Sequence, residues 1–141
     1  MAKKHDIIWL DSIDSTNEEA KRHISEIDNL SVLSAYEQTE GRGQRGNTWT
    51  STPGENLMFS IVLKNPKISA RDQFGINEIT SLSVVDFLSQ HGISARIKWP
   101  NDIYVDSKKI CGILIENSLR GSVISSSIIG IGLNINQRNF D

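Results

Sequence analysis

The chain has 141 residues, enough for one domain with a hydrophobic core but too few for two. Fifteen Lys and Arg against 17 Asp and Glu give a formal net charge of −2, which argues against a protein that grips a nucleic-acid backbone along its length. The single cysteine excludes an internal disulfide, and no apolar run approaches the ~20 residues that span a bilayer. These features predict a cytoplasmic protein with no membrane partner.

The first third combines two short apolar runs with a helical stretch. DIIWL (6–10) and SVLSAYEQ (31–38) have the length and composition of strands. Between them, Ser15 and Glu18 have the spacing of a capping box at the start of a helix. We expect a surface helix that packs on the core through a narrow stripe. The stripe consists of Thr16, Ala20, Ile24 and Ile27.

A segment rich in glycine and arginine, GRGQRGNTW (41–49), follows the second strand. Three interpretations fit it: a surface turn, an RNA-binding Arg-Gly tract, and a loop that orders over an anion through backbone N–H and guanidinium groups. Arg-Gly tracts repeat, whereas this segment occurs once. The segment alone leaves the surface turn and the anion-binding loop open.

The remaining residues predict a strand, a helix and then consecutive strands. NLMFSIVLK (56–64) has strand character, and residues 73–91 carry apolar residues nearly all round, which indicates an internal helix ending at Gly92. SARIKW, IYVD, KICGILIEN and SVISSSIIGIGLNI follow without helices between them, and DSKK predicts a hairpin turn. Strands in series favour an α+β fold with a largely antiparallel mixed sheet and packed helices.

Polar residues and glycines interrupt the last strands. In KWPND, Lys98, Asn101 and Asp102 lie at a strand end, where Pro100 breaks a β-ladder. Taken alone, the lysine is better explained by a side chain that reaches the surface, and Asn101 and Asp102 fit an ordinary turn as well as a reactive site. In GIGLN, two glycines two positions apart leave one face of the strand without side chains. This pattern fits either a ligand that lies against the backbone or a β-bulge. Cys111 lies in an apolar run, which favours a buried, inert thiol over a nucleophile.

Six segments in this order resemble one family, the biotin–protein ligases, also called biotin–[acetyl-CoA-carboxylase] ligases. They are DSTNEEAK, EQTEGRGQRGNTW, NLMFSIVL, IKWPNDIYV, KKICGILIE and GIGLNIN, and they cover most of the chain from Asp11 to Asn136. GRG followed by W, then KWPND, GIL and GIGLN, is specific in combination. The resemblance implies one catalytic domain over residues 1–141, with a fold akin to class II aminoacyl-tRNA synthetases.

The chemistry implied by this resemblance has two steps. Biotin and MgATP give biotinyl-5′-AMP and pyrophosphate, and a lysine amine of a biotin carboxyl carrier protein then attacks the mixed anhydride. Bringing a carboxylate against a triphosphate requires cations and N–H donors between two anions, and the acyl-adenylate must be shielded from water. The glycine-rich segment would then be a loop that admits substrates and folds over them.

The resemblance also implies roles for individual residues. The implied catalytic residues are Lys98, beside the reacting carboxylate and α-phosphate, with Arg42 and Arg45. Biotin is expected to contact Ser15, Thr16, Asn17, Gln38, Arg42, Gly43, Gln44, Lys98, Gly112 and Gly130. ATP is expected to contact Arg45, Trp49, Asn101, Gly132 and Asn134. No protein ligand is assigned to a metal, because Mg²⁺ enters with ATP as part of the substrate.

Departures from the family pattern qualify these expectations. Gln44 and Asn47 stand where many members carry arginine or lysine, so Arg45 is expected to bear more of the phosphate contact. No DNA-binding segment precedes Asp6, which implies the monofunctional type without a DNA partner. The family's catalytic domain normally continues past Asp141 into a small barrel, so an incomplete catalytic domain is expected.

Three points stay open on the sequence alone. A lipoate-type acyl-protein ligase shares the expected fold and the acyl-adenylate chemistry. A fragment that binds its ligand without turnover, or a non-catalytic binding module, is the second alternative. The resemblance also leaves a homodimer open.

Overall fold

A seven-stranded sheet organises residues 6–138, which are the residues that the computed structural model describes. Its strands are β1 (Ile7–Ile13), β2 (Val32–Gln38), β3 (Asn56–Lys64), β4 (Arg96–Lys98), β5 (Asp102–Val105), β6 (Lys108–Arg120) and β7 (Val123–Asn134). The helices are α1 (Thr16–Arg22) and α2 (Phe74–Gln90), with short 3-10 turns at Gln44–Gly46 and Ala70–Asp72. The strands lie in the order β1-β2-β3-β7-β6-β5-β4.

The sheet is mixed but mostly antiparallel. Only β1 and β2 run parallel among the neighbouring strands described, and α1 lies in the crossover that this parallel pairing requires. Asp106 and Ser107 join β5 to β6, and Asp106 takes the left-handed conformation (φ 56°) that such a tight turn needs. The predicted α+β fold and the predicted hairpin are both confirmed.

Helix α1 begins where the capping-box spacing predicts. The Ser15 hydroxyl accepts a hydrogen bond from the backbone N–H of Glu18 at 3.0 Å. The helix ends at Arg22, so the expectation of one helix reaching Ile27 is wrong, because His23 leaves the helical conformation (φ −118°). Ile27 is nevertheless buried, through the turns that follow the helix, in a small cluster with residues of α1, β2, β3 and β7.

Helix α2 packs through one side only. Ile76, Thr80 and Leu88 are buried, whereas Ile79 and Leu82 are 68% and 60% exposed. The expectation of an internal helix is therefore wrong within residues 6–138. Apolar residues on all sides of a helix indicate full burial only when a second layer covers its outer face, and the described chain supplies a layer on the sheet side alone.

The main core lies between α2 and strands β5, β6 and β7. Cys111 of β6 is fully buried there, and burial raises the pKa of its thiol to about 12, in agreement with an inert thiol. Among the described residues, no helix has the length and apolar character that crossing a membrane requires.

Candidate functional site

A cavity of about 340 Å³ lies between the middle of the sheet, the start of α1 and residues 41–49, which we call the glycine-rich loop. Its volume falls in the range of small-molecule sites. Every residue that the sequence assigned to biotin, ATP or catalysis lines the cavity except Lys98, Asn101 and Asn134. The lining also includes polar residues that were not predicted. These are Asn47, Thr48, Asp102 and Lys109.

One end of the cavity is built from uncharged hydrogen-bonding groups. The backbone N–H of Thr16 and its hydroxyl both donate to Gln38 Oε1, at 2.8 and 3.3 Å. The fully buried Ser60 hydroxyl, which sequence reasoning missed, lies within hydrogen-bond distance of Thr16 Oγ1 (2.7 Å) and of Asn17 Oδ1. Gln38 Nε2 has no hydrogen bond to another group in residues 6–138, so this donor remains for a ligand.

The Asn17 side chain is held in place by its neighbours. Its Nδ2 donates to the Leu114 carbonyl at 3.2 Å and to Glu116 Oε1 at 3.0 Å, so both amide hydrogens are engaged. Gly130 of β7 makes room for this amide, since a Cβ there would stand 2.5 Å from Asn17 Oδ1. The first glycine of GIGLN, Gly130, thus leaves space for a polar side chain in the cavity wall.

The Trp49 indole lies on two paired glycines. Gly112 of β6 and Gly132 of β7 are directly opposite each other, and a Cβ on either would stand 2.8 or 2.5 Å from the indole ring. The room that these glycines provide is therefore taken by Trp49. Trp49 Nε1 is buried without a hydrogen-bond partner in the described chain, which leaves a donor for a ligand acceptor.

The two arginines of the glycine-rich loop differ in their surroundings. Arg42 pairs with Glu18 and with Glu116, at 2.7 Å from Glu116 Oε1. Arg45 makes no ion pair with any residue in 6–138 and lines the cavity. Its backbone is left-handed (φ 55°, ψ 40°), a conformation that costs a non-glycine residue roughly 1–2 kcal/mol. Strain of this kind is typical of ligand-binding loops.

Lys109 is the cation that sequence reasoning missed. Alternation along β6 would place it on the same face as Cys111, in the core. The β5–β6 register shifts at this point, because Ile103 faces Cys111 whereas Tyr104 faces Lys109. The shift leaves Ile110 as an extra residue of β6 and turns Lys109 into the cavity. A basic residue just before the GIL segment is the signal that could have found it.

The surroundings of Lys109 make it a fixed positive charge. Its Nζ pairs with Asp102 Oδ1 at 3.1 Å and lies 5.6 Å from the centroid of the Trp49 ring. Three basic side chains line the cavity, but Arg42 pairs with Glu18 and Glu116 and Lys109 pairs with Asp102. Arg45 has no such partner in the described chain, and its charge suits an anionic ligand. No group of three or more His, Cys, Asp or Glu in residues 6–138 could hold a metal ion.

Two predicted residues lie at the margin of the cavity. Lys98 is exposed at the end of β4, where its Nζ lies 5.4 Å from the centroid of the Tyr104 ring. It is paired across the sheet with Asp102, so the two side chains leave the same face. Asn134, at the end of β7, donates from Nδ2 to the Lys109 carbonyl at 3.4 Å, and its Oδ1 is buried without a partner in the described chain.

Asn101 lies behind the cavity wall and connects several elements. It is 1% exposed, and its Nδ2 donates to the Ile113 carbonyl of β6 at 2.9 Å. Its Oδ1 accepts a hydrogen bond from Gln44 Nε2 at 2.6 Å, which ties the glycine-rich loop to the turn between β4 and β5. The geometry gives Asn101 a part in shaping the cavity, and its contact with ATP stays a prediction.

Comparisons with known proteins agree with this geometry. The model of the biotin/lipoate A/B protein ligase family matches residues 9–134. The bifunctional ligase/repressor BirA of Bacillus spizizenii is 36% identical over 111 residues, which are 78% of this chain and 34% of that protein. The biotin–[acetyl-CoA-carboxylase] ligase of Paracoccus denitrificans is 35% identical over 125 residues, covering 86% of this chain and 51% of that protein.

A solved structure shares the fold. The biotin protein ligase from Aquifex aeolicus in complex with biotin and ATP superimposes with a TM-score of 0.80 at 35% identity, over 96% of this chain and 55% of that one. The chain thus spans about a third to a half of the length of these relatives. Since the family match extends over most of the sequence and includes the residues around the cavity, the chain belongs to the biotin/lipoate A/B protein ligase family.

Proposed function

We propose that this protein activates biotin with MgATP to biotinyl-5′-AMP and transfers the biotin to a lysine of a biotin carboxyl carrier protein or domain. The observation that carries the proposal is a single cavity with an uncharged hydrogen-bonding end and a cationic end. The names of the relatives support it, since they include a biotin–[acetyl-CoA-carboxylase] ligase and a ligase solved with biotin and ATP.

The uncharged end suits the ureido ring of biotin. A cyclic urea presents one carbonyl acceptor and two N–H donors, and it carries no charge. Gln38 Nε2 is free to donate to that carbonyl, and the hydroxyl of Ser15 and the Oγ1 of Thr16 offer acceptors in the same part of the cavity. Neutral partners bind such a group without the cost of burying an unpaired charge.

The cationic end suits the reacting anions. A carboxylate and an α-phosphate held about 4 Å apart repel each other by about 4 kcal/mol at the effective dielectric of a partly exposed site, so adenylation needs cations between them. Arg45 and Lys109 both line the cavity. We assign the role of main catalytic cation to Lys109, because Asp102 fixes its ammonium group. Lys98 stays the alternative.

The adenylation and transfer steps place different demands on the site. In the first, a biotin carboxylate oxygen bonds to the α-phosphorus and pyrophosphate leaves; a fixed ammonium stabilises the charge of that transition state. In the second, the carrier's lysine amine bonds to the acyl carbon, AMP leaves with the former carboxylate oxygen, and the amine loses a proton. The glycine-rich loop would shield the adenylate from water between the two steps.

Calorimetry tests the ligand class. We expect biotin to bind and lipoate not to bind. Gln38→Ala should weaken biotin binding by about tenfold, or about 1.4 kcal/mol, because the ligand carbonyl loses its donor. Glu37→Ala is the matched control, since its carboxylate accepts from Ser12 on the neighbouring strand and does not line the cavity. Equal binding of lipoate would favour the lipoate-type alternative instead.

The cellular setting is part of the proposal. ATP and carboxylase carriers are expected together in the cytoplasm, so we propose that location. A homodimer and the absence of a DNA partner stay predictions, which sedimentation of the purified chain with and without duplex DNA would test.

A further inference from the structure

An ion-pair network lies beside the cavity and joins three elements. It comprises Glu18 and Lys21 of α1, Arg42 of the glycine-rich loop and Glu116 of β6. Its two acidic and two basic groups balance each other. Glu116 does not itself line the cavity, so its effect on a ligand would be exerted through its neighbours.

The Glu116 carboxylate contacts both the cavity wall and the loop. Its Oε1 accepts hydrogen bonds from Asn17 Nδ2 at 3.0 Å and from Arg42 Nη2 at 2.7 Å. Its Oε2 accepts from Lys21 Nζ. One carboxylate therefore holds a residue of the uncharged end and the arginine at the start of the loop at the same time.

We propose that Glu116 is a positioning residue: its carboxylate fixes the Asn17 amide at the uncharged end of the cavity and anchors the start of the glycine-rich loop through Arg42. The identity of the ligand at that end rests on the proposed function. The anchoring of the loop is a property of the protein alone and is tested without ligand.

The charge of Glu116 supports this role. Burial opposes its ionisation, but hydrogen bonds from Lys21 and Asn17 and the positive charges of Lys21 and Arg42 outweigh burial and lower the pKa of the carboxyl group. The group is therefore ionised at neutral pH. Hydrogen bonds to an ionised acceptor are roughly twice as strong as those between neutral groups, so the contact with Arg42 depends on this charge.

Three backbone hydrogen bonds report whether the loop is held. Gly43 N–H donates to the Asn47 carbonyl at 2.7 Å, Asn47 N–H to the Gln44 carbonyl at 3.0 Å, and Trp49 N–H to the Gly41 carbonyl at 2.9 Å. These three amides exchange with solvent when the loop opens. Because Arg42 lies inside the loop, releasing its side chain from Glu116 should favour opening.

Hydrogen exchange of the protein without ligand is the first test. Glu116→Gln keeps the volume and a carbonyl acceptor but removes the charge. We expect the amides of Gly43, Asn47 and Trp49 to exchange about tenfold faster, on the scale of a lost charge-assisted bond, while amides of β3 and β7 stay unchanged. Glu37→Gln, on β2, is the matched control and should change none of them. Unchanged loop exchange, or acceleration throughout the sheet, would overturn the proposal.

Two further variants complete the test. Glu116→Asp keeps the charge and should restore part of the loop protection and of the biotin affinity, which calorimetry should find about tenfold weaker in Glu116→Gln. If Glu116→Gln fails to fold, Arg42→Gln removes the same ion pair from the loop side. Hydrogen exchange of the loop at the parent's rate in that variant would overturn the proposal. A parent chain that binds no biotin would refute the proposed function, while the exchange result would still decide the anchoring.

Discussion

Two lysines are candidates for the proposed role of catalytic cation, one in the cavity lining and one at its margin. Lys109 lines the cavity and pairs with Asp102, whereas Lys98 lies exposed against the Tyr104 ring. The sequence could not show this difference, because the register shift between β5 and β6 breaks the alternation from which a side chain's face is inferred. The sequence identified the motif that contains Lys98, but it did not show that Lys109 lines the cavity.

We therefore expect Lys109→Ala to lower the rate of biotin adenylation by roughly 100-fold or more, about 3 kcal/mol of transition-state stabilisation, because the developing charge loses its fixed partner. Lys98→Ala should stay within about threefold of the parent, or about 0.6 kcal/mol. Initial rates of biotin-dependent pyrophosphate release measure both variants. A larger loss of rate in Lys98→Ala than in Lys109→Ala would assign the catalytic role to Lys98.

Asp14, at the start of α1, provides a pH-dependent contribution to stability. Hydrogen bonds from Arg22 at 2.8 and 2.7 Å lower the pKa of its carboxyl group from 3.8 to about 2. A pKa lowered by folding stabilises the protein above the unfolded value, near pH 4, and this stability is lost as the pH falls towards 2. Asp14→Asn should lower Tm at pH 7, and the difference should shrink as the pH falls through about 2. Asp28→Asn, at an exposed position, is the control. A difference that is the same at pH 2 as at pH 7 would exclude this ion pair as its source.

At the scale of elements, the sequence predicted the features that depend on neighbouring residues, but not which faces of the helices are buried. The cap at Ser15, the turn at Asp106 and the strand before the glycine-rich loop all depend on neighbours in the sequence, so their predictions are confirmed. The outer face of α2 depends on what covers it, which no local pattern states. The resemblance assigned the glycines of β6 and β7 to ligand contacts, but the sequence could not show that Trp49 lies against Gly112 and Gly132.

This packing predicts the effect of a methyl group at Gly132. A Cβ there would stand 2.5 Å from the Trp49 ring, so Gly132→Ala should displace the indole and destabilise the protein by about 1–3 kcal/mol, as overpacking does. Gly75→Ala is the matched control in α2, where a Cβ meets nothing within 4 Å, and it should stabilise the helix by about 0.5 kcal/mol. Urea unfolding compares the two. An equally stable Gly132→Ala variant would show that Trp49 moves away at no cost.

At the scale of the whole molecule, the site is assembled from segments far apart in the chain. One cavity is surrounded by the start of α1, the end of β2, the glycine-rich loop, the turn after β4, the first half of β6 and the second half of β7. The order of the motifs along the chain predicted which segments contribute to the site. The order β1-β2-β3-β7-β6-β5-β4, which brings them together, depends on long-range pairing that no single segment encodes.

Biotin-dependent exchange of labelled pyrophosphate into ATP tests the central claim most directly, because it requires reversible formation of biotinyl-5′-AMP and no carrier protein. The chain should catalyse exchange only when biotin and MgATP are both present, and Lys109→Ala should reduce the exchange rate by roughly 100-fold. Exchange no faster than the control without biotin, in a chain that calorimetry shows to bind biotin, would contradict the account and leave a ligand-binding protein without adenylation activity.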